Sequence, residues 1–80
     1  MEEAVIRAIQ PYDLHGVRWY RMAYSPAATP DAVYEARFSW DVIYPDPEPG
    51  DRVRIRKLLG VIDRVERGTG NGPPSGIGGE

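Results

Sequence analysis

The sequence contains no cysteine and one histidine, His15. The missing cysteines exclude a disulfide framework and any thiolate metal site. A lone histidine excludes a histidine-based metal cluster, and Asp13 beside His15 supplies only two ligands. Uninterrupted apolar runs never exceed three residues, far short of the ~20 that a membrane-spanning helix needs. No glycine-rich loop opens a helix to hold phosphate, and the glycines follow no nucleotide-binding spacing. Nucleophiles are equally sparse, with three serines and two threonines. His15 lies in the turn-like stretch Pro11-Tyr12-Asp13-Leu14-His15-Gly16, and a serine triad would require it to meet Ser25 or Ser39 beside an acid. Glu35 and Asp41 fall about 20 Å apart along an extended strand, too far for a glycosidase-type pair. These absences lead to the expectation of a protein that is not an enzyme, with no cofactor and no metal.

What is present is unevenly distributed along 80 residues, enough for one domain at most. Six of the nine glycines follow Arg67, and between Gly68 and Glu80 the only apolar side chains besides Pro73 and Pro74 belong to Ile77. That stretch is too poor in apolar surface to offset its ordering entropy, so residues 68–80 are expected to form a disordered Gly/Pro-rich tail. The folding unit is then residues 1–67, a size that buries only about 60% of its unfolded surface and whose stability is about 3–10 kcal/mol. Met1-Glu2-Glu3 places no basic stretch before an apolar one, which leads to the expectation of a cytoplasmic protein without a membrane partner.

Alternation of apolar and polar residues points to strands. In Val33–Tyr44, the even positions Tyr34, Ala36, Phe38, Trp40, Val42 and Tyr44 form one face and Glu35, Arg37, Ser39 and Asp41 the other. Twelve residues is long for one strand, so a bend or bulge is expected within it. The aromatic stripe Tyr34, Phe38, Trp40 and Tyr44 is expected in the core. Val17–Tyr24 is aromatic-rich and carries apolar residues on both faces, and Ser25–Asp31 has turn chemistry that makes the two segments a hairpin. Arg52–Lys57 alternates cleanly, with Val53 and Ile55 inward, and Leu58-Leu59-Gly60 serves as a turn to a fourth strand, Val61–Arg67. Ala4–Gln10 favours a strand over a short helix because of its β-branched residues and the following Pro11. Prolines at 45, 47 and 49 predict an extended polyproline II connector. The sum is an all-β chain, a small SH3-like or OB-like barrel of about five short antiparallel strands. Barrel closure would remove the exposed sheet edges.

Residues 50–66, GDRVRIRKLLGVIDRVE, resemble the strand–turn–strand element of SH3-like barrels of the KOW type. Gly50-Asp51 before the alternating Val53 and Ile55, and Gly60-Val61 opening the next strand, carry the likeness. The resemblance implies barrel geometry, and members of that family bind RNA or act as protein adaptors.

Charge gives two functional expectations. Residues 1–51 hold four Arg against nine acids, a net −5, whereas residues 52–67 hold five Arg and one Lys against two acids, a net +4. The first expectation is a protein-interaction or assembly module, such as a small adaptor, a structural component or a joining part of a phage-type particle, with a protein partner or self-assembly. Arg18, Trp19 and Arg21 are its candidate contact residues, because exposed Trp and Arg dominate interface energetics. The alternative is single-stranded nucleic acid or RNA. Arg52, Arg54 and Arg56 would repeat every ~6.6 Å on one face, with Trp19, Tyr20, Tyr24 and Trp40 as stacking platforms where they face outward. A plain solvated face, with Glu35 or Asp41 pairing the arginines across strands, is the structural counterpart of both.

Overall fold

A computed structural model describes residues 1–68. Its elements are β1 (Glu2–Leu14), β2 (Val17–Pro26), β3 (Tyr34–Ser39), a single 3-10 turn η1 (Trp40–Val42), β4 (Arg52–Leu58) and β5 (Val61–Arg67). The five strands form one antiparallel sheet in the order β3-β2-β1-β4-β5. The sheet curls until its two ends approach, and a parallel bridge between Ile43 and Val65 joins the segment after η1 to β5. The result is the expected all-β architecture, a small and partly open barrel around one core. Among the described residues no helix is long and apolar enough to cross a membrane.

The core collects Ala4 and Ile6 from β1, Met22 and Tyr24 from β2, Phe38 from β3, Ile43 from the segment after η1, Val53 and Ile55 from β4, and Ile62 and Val65 from β5. Two bulges explain how imperfect alternation still fills one face. Ile6 and Ile9 are three apart, which in a regular strand puts them on opposite faces. The register shift between Ile6 and Ala8 absorbs Arg7, so Ile9 also packs against the core. In β5, Ile62 and Val65 are likewise three apart, and a shift beside Arg56 and Lys57 lets both point inward. The displaced Arg7 is put to use. Its Nε donates to the buried Ser25 hydroxyl at 2.9 Å, and its terminal nitrogen donates to the Pro30 carbonyl at 3.3 Å, clamping the β2–β3 loop.

Four expectations need correction. β1 does not end at Pro11 but runs to Leu14, pairing Pro11 with Tyr20. Pro is tolerated there because β4 pairs with β1 only over Glu2–Val5, leaving the other edge of β1 free. The bend expected within Val33–Tyr44 falls at Trp40, where the chain turns through η1, but the aromatic stripe does not stay in the core. This breaks the two-residue parity, so the aromatic stripe is split. Phe38 is buried, Tyr44 is half-buried and Trp40 is 58% exposed, while Tyr34, which precedes the turn and shares the parity of Phe38, is 51% exposed at the start of the edge strand β3. The proline connector is not polyproline II, since Asp46 adopts a left-handed φ of 56° and folds the path back. There Gly50 N–H donates to the Ile6 carbonyl at 2.7 Å and Ile6 N–H to the Asp51 carbonyl at 3.0 Å. Finally, Gly68 belongs to the folded unit, because its N–H donates to the Arg52 carbonyl at 2.7 Å. The rest of the expected tail lies outside the described residues.

Candidate interaction site

Arg52, Arg54 and Arg56 do share the outward face of β4, opposite the buried Val53 and Ile55. Their partners are not Glu35 and Asp41. The β4–β5 register sets Arg54 opposite Glu66, and the β5 bulge brings Asp63 to Arg56. Arg54 donates to Glu66 at 3.2 Å, and the second Glu66 oxygen accepts from Arg64 at 2.7 Å. Arg56 grips both Asp63 oxygens at 3.0 Å, a bidentate pair. That guanidinium holds the Asp63 carboxyl below the ordinary carboxylate range. Glu35 instead lies 3.9 Å from Arg21, and Asp41 accepts from the Ser39 hydroxyl. The basic ribbon is therefore largely satisfied by carboxylates of its own hairpin, with Arg52 exposed at its end.

Arg18, Trp19 and Arg21 are separated by strand parity. Trp19 lies opposite Tyr12 and Ser39, and Arg21 opposite Gln10 and Arg37, all on the outer face of the sheet. Arg21 donates to Gln10 at 3.2 Å, while Arg37 has no salt-bridge partner among the described residues. Arg18 is on the inner face of the same hairpin, 4.0 Å from Asp13. His15 occupies the turn, far along the hairpin from Ser25, which pairs with Val5, so the two do not meet.

The inner face beyond the core opens into a groove of about 660 Å³ between the β1–β2 hairpin and the segment that follows η1. The hairpin lines it with Asp13, Val17, Arg18 and Tyr20, and the other segment with Trp40, Tyr44, Pro45 and Asp46. The 3-10 turn that spoiled the aromatic stripe is what swings Trp40 out of the core and into this lining. Tyr44 is held rigidly: its hydroxyl donates to Asp51 at 2.7 Å, and the Arg67 guanidinium sits 4.4 Å from its ring centroid. Burial, reinforced by the Asp51 carboxylate, pushes the Tyr44 phenol upward from its ordinary value of 10.

A second feature escaped the sequence reading although its signal was plain. The four-residue string Leu-X-Gly-Val occurs at Leu14–Val17 and again at Leu58–Val61. Both copies are two-residue hairpin turns with positive φ at each central residue: 53° and 78° at His15 and Gly16, 53° and 80° at Leu59 and Gly60. That is the turn whose twist suits a tight hairpin. Both turns end in a Leu–Val pair open to solvent. In the second copy the turn residue Leu59 is itself 96% exposed.

No protein-family model matches the chain, and neither does any curated protein or solved structure.

Proposed function

We propose that this chain is a non-catalytic protein-interaction or assembly module, and that the groove beside η1 is its contact site. The observation that carries the reading is Trp40, 58% exposed next to Tyr20, Tyr44 and Pro45 in a concave setting. Aromatic side chains with an Arg at the margin match the composition of interface hot spots. A role as an adaptor, or as a small joining part of a larger particle, follows by fold-level analogy from a barrel of this size, as does the KOW-like geometry of residues 50–66. Arg52, Arg54 and Arg56 contribute less than their spacing suggested, because Glu66 and Asp63 already occupy two of them.

A second reading, binding of single-stranded nucleic acid, now has its support on the outer face, where Arg21 and Arg37 lie directly opposite each other beside Trp19 and Tyr12. Stacking platforms interleaved with cations suit such a ligand.

The test is twofold. Labelled oligo-dT and oligo-U are titrated at about 50 and 200 mM salt while tryptophan emission is followed. No binding at the lower salt is expected. Binding that weakens about tenfold or more over that range, and is lost with Arg37→Ala, would replace the module reading with the nucleic-acid one. In parallel, partners retained by the wild-type chain from its native source are compared with those retained by Trp40→Ala and Arg54→Ala. The reading expects a specific partner lost with Trp40→Ala and kept with Arg54→Ala, and equal retention by both would overturn it.

A further inference from the structure

The two hairpin tips point in opposite directions. β1 and β4 are antiparallel with Glu2 opposite Ile55, so β4 runs on past the start of β1 to Leu58 while β1 runs the other way to Leu14. The molecule is accordingly 44 Å long and only 26 by 21 Å across. One end carries the Leu58–Val61 tip. The other carries the Leu14–Val17 tip and the groove beside it.

Leu59 is an anomaly in chemical terms. A left-handed backbone costs a residue with a Cβ about 1–2 kcal/mol, and this turn position favours Asn, Asp or Gly. The Leu59 side chain also gains nothing by burial, being 96% exposed, with Leu58 and Val61 exposed beside it at 62% and 63%. Nothing among the described residues covers that apolar tip. Behind the tip stand Arg56, Lys57 and Arg64, each already paired with a carboxylate, of Asp63, Glu2 and Glu66 in turn. The groove at the far end offers such a tip an aromatic lining of Tyr20, Trp40 and Tyr44, where Asp13 is paired with Arg18.

We infer that the chain self-assembles head to tail, the Leu58–Val61 tip of one copy entering the Trp40 groove of the next. The inference rests on the reading of the groove as the interaction site and adds its occupant. Tip and groove lie at opposite ends of one rigid unit, so no copy can fill its own groove. Such a contact is heterologous, and repeating it closes a ring or extends a filament. Apolar insertion supplies the driving force. The uneven charge of the sequence, net −5 to residue 51 and net +4 from residue 52 to 67, favours contact of the β4–β5 hairpin of one copy with the body of another over contact between like surfaces.

The experiment is sedimentation of the full chain over a range of concentrations up to millimolar, with two variants. Leu59→Asn removes the tip while supplying the residue its turn prefers, so the fold is retained or strengthened. Trp40→Ala removes the groove wall, and its fold is checked by circular dichroism. The wild type is expected to associate beyond a dimer. Each variant alone should associate at least tenfold more weakly, about the loss of one hot-spot residue. An equimolar mixture of the two should stop at a dimer, because it contains one intact tip and one intact groove. A wild type that stays at the 9.0 kDa monomer overturns the inference, as do variants that assemble like the wild type or a mixture that grows past two. Monomeric wild type together with a foreign partner lost on Trp40→Ala defeats only the self-assembly. Loss of neither defeats the groove reading as well.

Discussion

The Tyr44 hydroxyl donates to the Asp51 carboxylate at 2.7 Å, closing the proline loop across its two ends. The same carboxylate oxygen accepts from the Glu48 N–H at 3.0 Å and lies 3.9 Å from Arg67. One side chain thus holds the loop against β5 and fixes the ring that walls the groove.

Asp51→Ala should therefore cost about 1–3 kcal/mol, the usual effect of stranding partly buried hydrogen-bonding groups. Tyr44→Phe, which leaves the other two contacts in place, should cost about 1 kcal/mol. Urea unfolding of the two variants checks the order. Equal midpoints would remove Asp51 from its role as the organiser of the loop.

Tyr44 also predicts behaviour at high pH. Its phenol is raised by burial and by Asp51, so the folded state favours the neutral form. The contribution to stability is complete below the ordinary tyrosine pKa near 10 and is lost as pH rises above it. In an alkaline titration, the Tyr44 phenol should ionise only together with unfolding, as read by tyrosinate absorbance against circular dichroism. Tyr44→Phe should remove that coupled step.

On the outer face, Arg21 and Arg37 are directly opposed across β2 and β3. Like charges in that position destabilise a sheet. Arg37→Glu should raise stability by about 0.2–1 kcal/mol at low salt, and less at high salt. If the exchange instead lowers stability, Arg37 has a structural role that the Arg21 pairing does not account for.

Ile6 is fully buried where β1, β2 and the end of the proline loop meet. Ile6→Ala should cost about 2–5 kcal/mol, a large share of the about 3–10 kcal/mol available to a domain of this size. Substantial unfolding at physiological temperature, seen by circular dichroism, is the expected outcome. Val5→Ala, one residue away on the partly exposed face, should be far milder.

The sequence by itself determined the all-β class, the inward set Val53 and Ile55, the outward arginine row, and the turns at His15-Gly16 and Leu59-Gly60. These follow from alternation and turn chemistry, which act over a few residues and are written locally. The Leu-X-Gly-Val repeat was equally local and readable. Only the tertiary structure decided which side chains meet. Glu66 and Asp63 reach the arginines because of a strand register and a bulge. Trp40 leaves the core because the chain turns through η1 to bring Ile43 onto Val65. Register, bulges and sheet closure are set by how the whole core packs, and no window of neighbouring residues encodes them. The groove is built from β2 and the segment after η1, two stretches that come together only when the sheet has curled.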